Sequence, residues 1–201
     1  RTLLGHLRHE SGHYYAAALD DEPAIAQRFR ALFGDSTLDY GQALERYYSG
    51  GPQFGWHDRH ISAYASAHPT EDWAETWAHY LHIIDTLETA AHYGVRVERP
   101  LADGKMHRAA PRFDAYRVDD FDRVISHWVP LTHALNSLNR SMGLQDLYPF
   151  VLSDGPVGKL AFVHRTVLQH RRFGAGYVET RDVQPSGLWQ QLLQRVGEML
   201  I

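Results

Sequence analysis

Apolar side chains recur along most of the chain at intervals of three and four, the spacing that gathers residues on one face of an α-helix. Leu3, Leu4, Leu7, Tyr14 and Ala18 form the first such series, and His6, His9, Glu10, His13 and Ala17 make a second stripe beside it. The first segment therefore predicts a helix with two different faces. Its apolar residues lie away from the histidines, as expected of a buried helix that carries chemistry on its polar side. Glu22 to Phe33 is again helix-like and stops at Gly34, after which Asp35 or Ser36 can cap a third helix running to about Tyr48. Gly50-Gly51-Pro52 breaks the pattern; Gln53 to His60 reads as loop and Ile61 to Ala67 as a short helical or extended piece. Pro69 then favours a helix starting beside it. In that helix Trp73, Trp77, Leu81, Ile84, Leu87 and Ala91 make the apolar stripe. Glu71 and Asp72 fall in its first turn, where the helix dipole favours anions.

Gly94 ends this helix. The stretch to about Asp119, with Pro100, Gly104 and Pro111, predicts a long irregular connection or a small hairpin, and its length points to a loop that shapes a substrate pocket. Phe121, Val124, Trp128, Leu131, Leu135, Leu138 and Met142 define another long helix closed by Gly143. Asp154-Gly155-Pro156 introduces a further one over roughly Val157 to His170, and Leu188, Leu192, Leu193, Val196 and Leu200 return to helical spacing in the tail. No internal repeat interrupts the series. The expectation is a mainly α domain with at most a small β element over residues 1–172, followed by a C-terminal extension, 173–201, that packs on or continues it.

Composition narrows the chemistry more than the partner. With 201 residues, 44% hydrophobic and 12% aromatic, the chain can bury a sizeable core. Twenty basic against 24 acidic residues leave a net charge of -4, which gives no field for nucleic acid. No apolar run approaches the ~20 residues that span a bilayer. The absence of cysteine excludes disulfides, thiolate zinc sites and cysteine nucleophiles, and fits a reducing, cytoplasmic setting. Any metal must use nitrogen and oxygen ligands. The chain opens on Arg1 with a patterned helix almost at once, so something is expected to precede it in the full protein.

His9-Glu10-Ser11-Gly12-His13 matches the H-E-x-x-H pattern, in which two histidines four apart share one helical face and can chelate one zinc ion. Glu10 then lies beside the metal, where a carboxylate can take a proton from water and later pass it to a leaving amine. The bland alternative is a surface helix with incidental histidines, in a chain that has 14 of them. A catalytic zinc needs a third protein ligand, and His57, His60, His68, Glu71, Asp72, Glu75, His79 and His82 are all available. Glu71 and Glu75, one turn apart and off the Trp73/Trp77 stripe, suggest one ligand and one supporter of a ligating imidazole, in either order.

These residues carry a resemblance. The runs His6-Leu7-Arg8-His9-Glu10-Ser11-Gly12-His13-Tyr14-Tyr15, Ser62-Ala63-Tyr64-Ala65-Ser66-Ala67-His68-Pro69 and Glu71-Asp72-Trp73-Ala74-Glu75-Thr76-Trp77-Ala78-His79-Tyr80 look like a bacterial family of zinc-binding metallopeptidases. Tyr148-Pro149-Phe150-Val151-Leu152 and Lys159-Leu160-Ala161-Phe162-Val163-His164 extend the likeness. In that family a cysteine-rich zinc ribbon commonly precedes the peptidase domain, and this cysteine-free chain has none. The spacing of Tyr64, Glu71 and Glu75 also resembles the catalytic domain of anthrax lethal factor, a gluzincin. The resemblance implies that Glu71 is the third zinc ligand, that Tyr64 assists the reaction and that Glu75 supports a ligating histidine.

A phenol such as Tyr64 near the metal can donate a hydrogen bond to the oxyanion of a tetrahedral intermediate. Gly12 is expected to let another element pack closely on the helix. His68 reads as a cap or loop histidine before Pro69 in preference to a proton-handling group. Asp72, His79 and His82 are outer supports of the site or solvated positions. Arg165, His170, Arg171 and Arg172 read as a helix-end charge cluster, not a nucleic-acid site. The combined expectation is a zincin-like, Zn2+-dependent peptidase acting on a peptide or protein. The alternatives are a zinc-stabilised protein-binding module without turnover and a DNA-associated protease.

Overall fold

A computed structural model describes residues 2–19 and 23–174. It is mainly helical, as the spacing predicts. The order is α1 (Leu3–Leu19), α2 (Pro23–Phe33), α3 (Tyr40–Gly50), α4 (Trp56–Arg59), a single 3-10 turn (Tyr64–Ser66), α5 (Pro69–His92), β1 (Val97–Pro100), β2 (Met106–Ala109), α6 (Phe121–Ser141) and α7 (Asp154–Gly174). The two strands pair antiparallel with Val97 opposite Ala109 and Pro100 opposite Met106, the small hairpin expected between Gly94 and Asp119. The apolar series from Leu188 to Leu200 lies outside the described residues.

The domain is built around α5. Trp73, Tyr80, Ile83, Ile84 and Leu87 are fully buried, and α1, α2, α6 and α7 all pack against this helix. Burying side chains the size of Ile83, Ile84 and Leu87 stabilises the fold by about 1.5–3 kcal/mol each. The helix begins where the chain chemistry demands. His68 accepts a hydrogen bond from the Thr70 N–H at its own Nδ1, and Pro69 occupies the first turn, where a missing N–H costs nothing. His68 also donates from Nε2 to the Leu38 carbonyl at 3.1 Å, so it is a cap, as expected, and ties the loop before α3 to the core helix.

Three expectations need correction. Leu3, Leu4, Leu7 and Tyr14 are 39–54% exposed, whereas His9, Glu10 and Gly12 are buried, so α1 sits on α5 by its polar side. The partner face of α5 supplies carboxylates and indole N–H groups that satisfy those polar atoms, and the glycine lets the helices meet. The cap of α3 is Asp39, which accepts from Gln42 N, because Asp35 is engaged with Thr37 N and Oγ1 in a turn of its own. Within Gln53 to His60, Trp56–Arg59 forms a short helix seated against α7. The hairpin packs on α6, and a groove elsewhere in the molecule is lined by residues of α2, α3, α7 and the segment before α5.

Candidate metal centre

Two tryptophans of α5 set the seat of α1. Trp73 Nε1 donates to the Gly12 carbonyl at 2.8 Å and Trp77 Nε1 to Ser11 Oγ at 3.0 Å. Gly12 allows this approach, since a Cβ there would lie 3.0 Å from Ala74 Cα and 3.1 Å from Trp77 Cβ. One turn earlier, Arg8 pairs with His82 and Asp85 of α5, and Tyr116 O–H donates to the same Asp85 at 2.8 Å. The histidine helix is thus held at both ends of its contact.

Between those anchors, His9, His13 and Glu71 each offer one ligand atom, all within 4.8 Å of one another. His9 Nε2 lies 3.2 Å from Glu71 Oε2, and His13 Nε2 lies 3.4 Å from Glu71 Oε1 and 3.3 Å from His9 Nε2. Behind His9, its Nδ1 meets Glu75 Oε1 at 2.7 Å, and the other oxygen of Glu75 accepts from Ser62 Oγ at 2.6 Å. A carboxylate only accepts, so Nδ1 carries the proton and the Nε2 lone pair faces Glu71 and His13. Of the two glutamates, Glu71 stands among the imidazoles and Glu75 stands behind one of them.

Glu71 is 1% exposed. Burial alone would push its carboxyl up, but the polar surroundings that His13 and His9 provide and the Tyr40 hydroxyl hold it well below the usual carboxylate range. It is an anion at neutral pH. Its Oε2, although close to His9 Nε2, makes no hydrogen bond of acceptable geometry, leaving a buried carboxylate oxygen unsatisfied beside an imidazole nitrogen. Buried polar atoms are rarely left so. Two imidazole nitrogens, an ionised carboxylate and an oxygen lacking a partner suit a divalent cation of the nitrogen- and oxygen-binding kind, zinc among them. The donor set therefore fits the metal that the motif implies.

Glu10 is 9% exposed, on the same turn, with a carboxylate oxygen 3.6 Å from His6 Nε2. The Tyr64 ring stands 6.1 Å from the His9 ring. Burial first, then the negative charge of Glu71 and the neighbouring Tyr40 and Tyr48, raise the Tyr64 phenol far above its ordinary value, so it stays a protonated donor. His13, with 23% of its side chain exposed, marks the open side of the cluster.

The remaining candidates go elsewhere. His57 is exposed beside Asp58. Asp72, which follows Glu71 directly, turns to the opposite side of α5, where Oδ2 accepts from Lys159 Nζ at 2.5 Å and meets His60 Nδ1 at 3.0 Å. His79 pairs with the Tyr148 hydroxyl at 2.7 Å, and His82 with Arg8. Asp72 and His79 are buried, and the half-buried His82 bears on the cluster through Arg8, which helps to seat α1. Tyr40 was missing from the sequence reading: from α3 it donates to Glu71 Oε1 at 2.7 Å. Ser62 was also unassigned, although it opens a quoted motif. No local spacing could have found Tyr40, which reaches Glu71 from 31 residues away.

A mainly helical domain with this cluster at its centre belongs, by comparison, to a metallopeptidase family. Residues 1–166 match the family described as "Putative zinc-binding metallo-peptidase", and the chain is a member of it. Uncharacterized proteins of Mycobacterium tuberculosis and Mycobacterium bovis are 48% identical over 170 residues, covering 83% of this chain and 47% of theirs. The chain thus spans about half the length of the curated relatives it matches. No solved structure matches. Among the described residues no helix is long and apolar enough to cross a membrane.

Proposed function

We propose that this domain hydrolyses peptide bonds as a zinc-dependent peptidase of the gluzincin kind, with His9, His13 and Glu71 holding the metal. The observation that supports it best is the convergence of those three ligand atoms within 4.8 Å with Glu75 bonded behind His9. Zinc bound there supplies a Lewis acid that acidifies water toward neutrality and polarises a carbonyl. The protein does the rest. Glu75 fixes the His9 tautomer and ring plane, a support whose loss typically costs 10–100-fold in metal affinity. Glu10 removes a proton from the attacking water and returns it to the leaving amine. Tyr64, kept protonated by its surroundings, donates its O–H to the oxyanion as the carbonyl carbon becomes tetrahedral. Burial of His9 and Glu71 keeps water from competing for the donors.

The test is Glu10→Gln. It keeps size and hydrogen-bonding capacity but cannot take a proton, so turnover of a peptide library should fall by about 10²–10⁴-fold while copurified zinc is retained. Turnover equal to that of the unaltered protein would sink the mechanism. A protein that binds zinc in full and cleaves nothing would favour a zinc-stabilised binding module.

A further inference from the structure

A groove of about 690 Å³ opens beside Tyr47 and His68, which pack on Tyr64 and Tyr40 next to the cluster. Buried Phe33, Ala43 and Ala65 line it, together with exposed Leu32 and Leu38. Its charges are unequal in availability. Lys159 lines the groove but spends its ammonium on Asp72 and on the Arg59 carbonyl, at 2.5 and 2.6 Å. Asp35 is turned to Thr37 N and Oγ1, with Arg30 at 4.0 Å. Arg46 and Arg59 also line it, and among the described residues neither guanidinium has an ion-pair or hydrogen-bond partner. The groove is thus lined by apolar side chains and by two arginines whose guanidinium groups have no partner among the described residues, a combination suited to a carboxylate carried on an organic chain.

Its place relative to the metal residues says what that chain is. Tyr47 lines the groove and packs edge-on against Tyr64 at 5.6 Å, and Tyr64 in turn stands 6.1 Å from His9. His68 lines it as well and faces Tyr40 at 5.3 Å, whose hydroxyl reaches Glu71. These two ring-to-ring steps from His9 to the groove are a span that an extended peptide, rising about 3.3 Å per residue, covers in about three or four residues.

Building on the peptidase reading, we propose that this groove is the subsite that selects substrates bearing a carboxylate a few residues from the scissile bond, with Arg46 and Arg59 as its recognition groups. That carboxylate belongs either to an acidic side chain or to the C-terminus of the peptide. The test uses binding, so it stands apart from turnover. Zinc-loaded Glu10→Gln protein is titrated with three fluorescent peptides of one apolar sequence: an amidated peptide with one glutamate, a neutral peptide with a free C-terminus, and a neutral amidated peptide. One or both carboxylate peptides should bind more tightly than the neutral one, and the preferred peptide names the source.

The double variant Arg46→Gln/Arg59→Gln should lower the ratio of carboxylate to neutral affinity by roughly fivefold, the scale for two exposed ion pairs. Thermal melts check that it stays folded. Equal binding of all three peptides, no binding of any, or a preference that survives in the double variant would overturn the proposal. A preference in the variant together with no cleavage of any peptide by the unaltered protein would keep the groove and remove the peptidase reading. Cleavage without preference would do the reverse.

Discussion

Gly12→Ala isolates the helix contact on which the metal cluster depends. The added methyl would stand 3.0 Å from Ala74 Cα, 3.1 Å from Trp77 Cβ and 3.2 Å from Trp77 Cδ1. Carbon atoms rest at about 3.5–4.0 Å, so α1 and α5 must part by about half an ångström. Overpacking of this kind costs about 1–3 kcal/mol, and the better helix propensity of alanine returns about 1 kcal/mol, leaving a net loss of about 0–2 kcal/mol. The larger consequence falls on the ligands, because His9 and His13 ride on α1 and Glu71 on α5. Ligand distances tolerate about 0.2 Å, so the separation should weaken zinc binding by at least about tenfold, the size of effect seen when a ligand loses its orientation. Chelator competition measures the affinity, and urea melts of the metal-free protein measure stability. Gly158→Ala in α7 is the control: nothing lies within 4 Å of a Cβ there, and it should stabilise by up to about 1 kcal/mol with zinc binding unaltered. If Gly12→Ala behaves like Gly158→Ala, the contact between α1 and α5 does not position the ligands and the reasoning fails.

Other perturbations probe other parts of the same helix. Lys159→Met leaves the fully buried Asp72, whose Oδ1 is already unpartnered, with His60 alone, and should cost about 3 kcal/mol in urea denaturation; a loss under about 1 kcal/mol would show the pair to be incidental. Tyr40→Phe removes the hydroxyl from Glu71 Oε1 and should weaken zinc retention by about 10–100-fold in a competition assay, an effect that an unchanged affinity would rule out. Burial lowers both His82 and His164 below the ordinary 6.5, helped by the charges of Arg8 and Arg165. The unfolded chain therefore takes up these protons first on acidification, so their stability is complete above about pH 6.5 and is lost as pH falls through the depressed folded values. Denaturation midpoints of metal-free protein at about pH 7.5 and 5.5 check the sign, and a higher midpoint in acid contradicts it.

The helices were legible because their apolar residues repeat over three or more turns, as Trp73 to Leu87 do. The ligands were legible for a related reason: His9 with His13, and Glu71 with Glu75, are local pairs whose geometry the helix itself dictates. What escaped was whatever depends on the partner across a contact. Asp35 and Asp39 are both sound caps, and only the Thr37 hydroxyl, which engages the first, decides for the second. The buried side of α1 was misread because polarity usually points outward, and here the glutamates and indoles of α5 make a polar interior satisfiable. Tyr40 and Lys159 reach α5 from α3 and α7, and nothing in their own neighbourhoods marks them.

Glu71 and Glu75 share α5 with Trp73, Ile83 and Leu87, so the same turns that build the hydrophobic centre also aim the carboxylates. On the proposed reading, core packing orients the donors before any ion arrives, so removing zinc with a chelator should leave the helices in place, and the loaded fraction should follow the free-ion level of the surroundings.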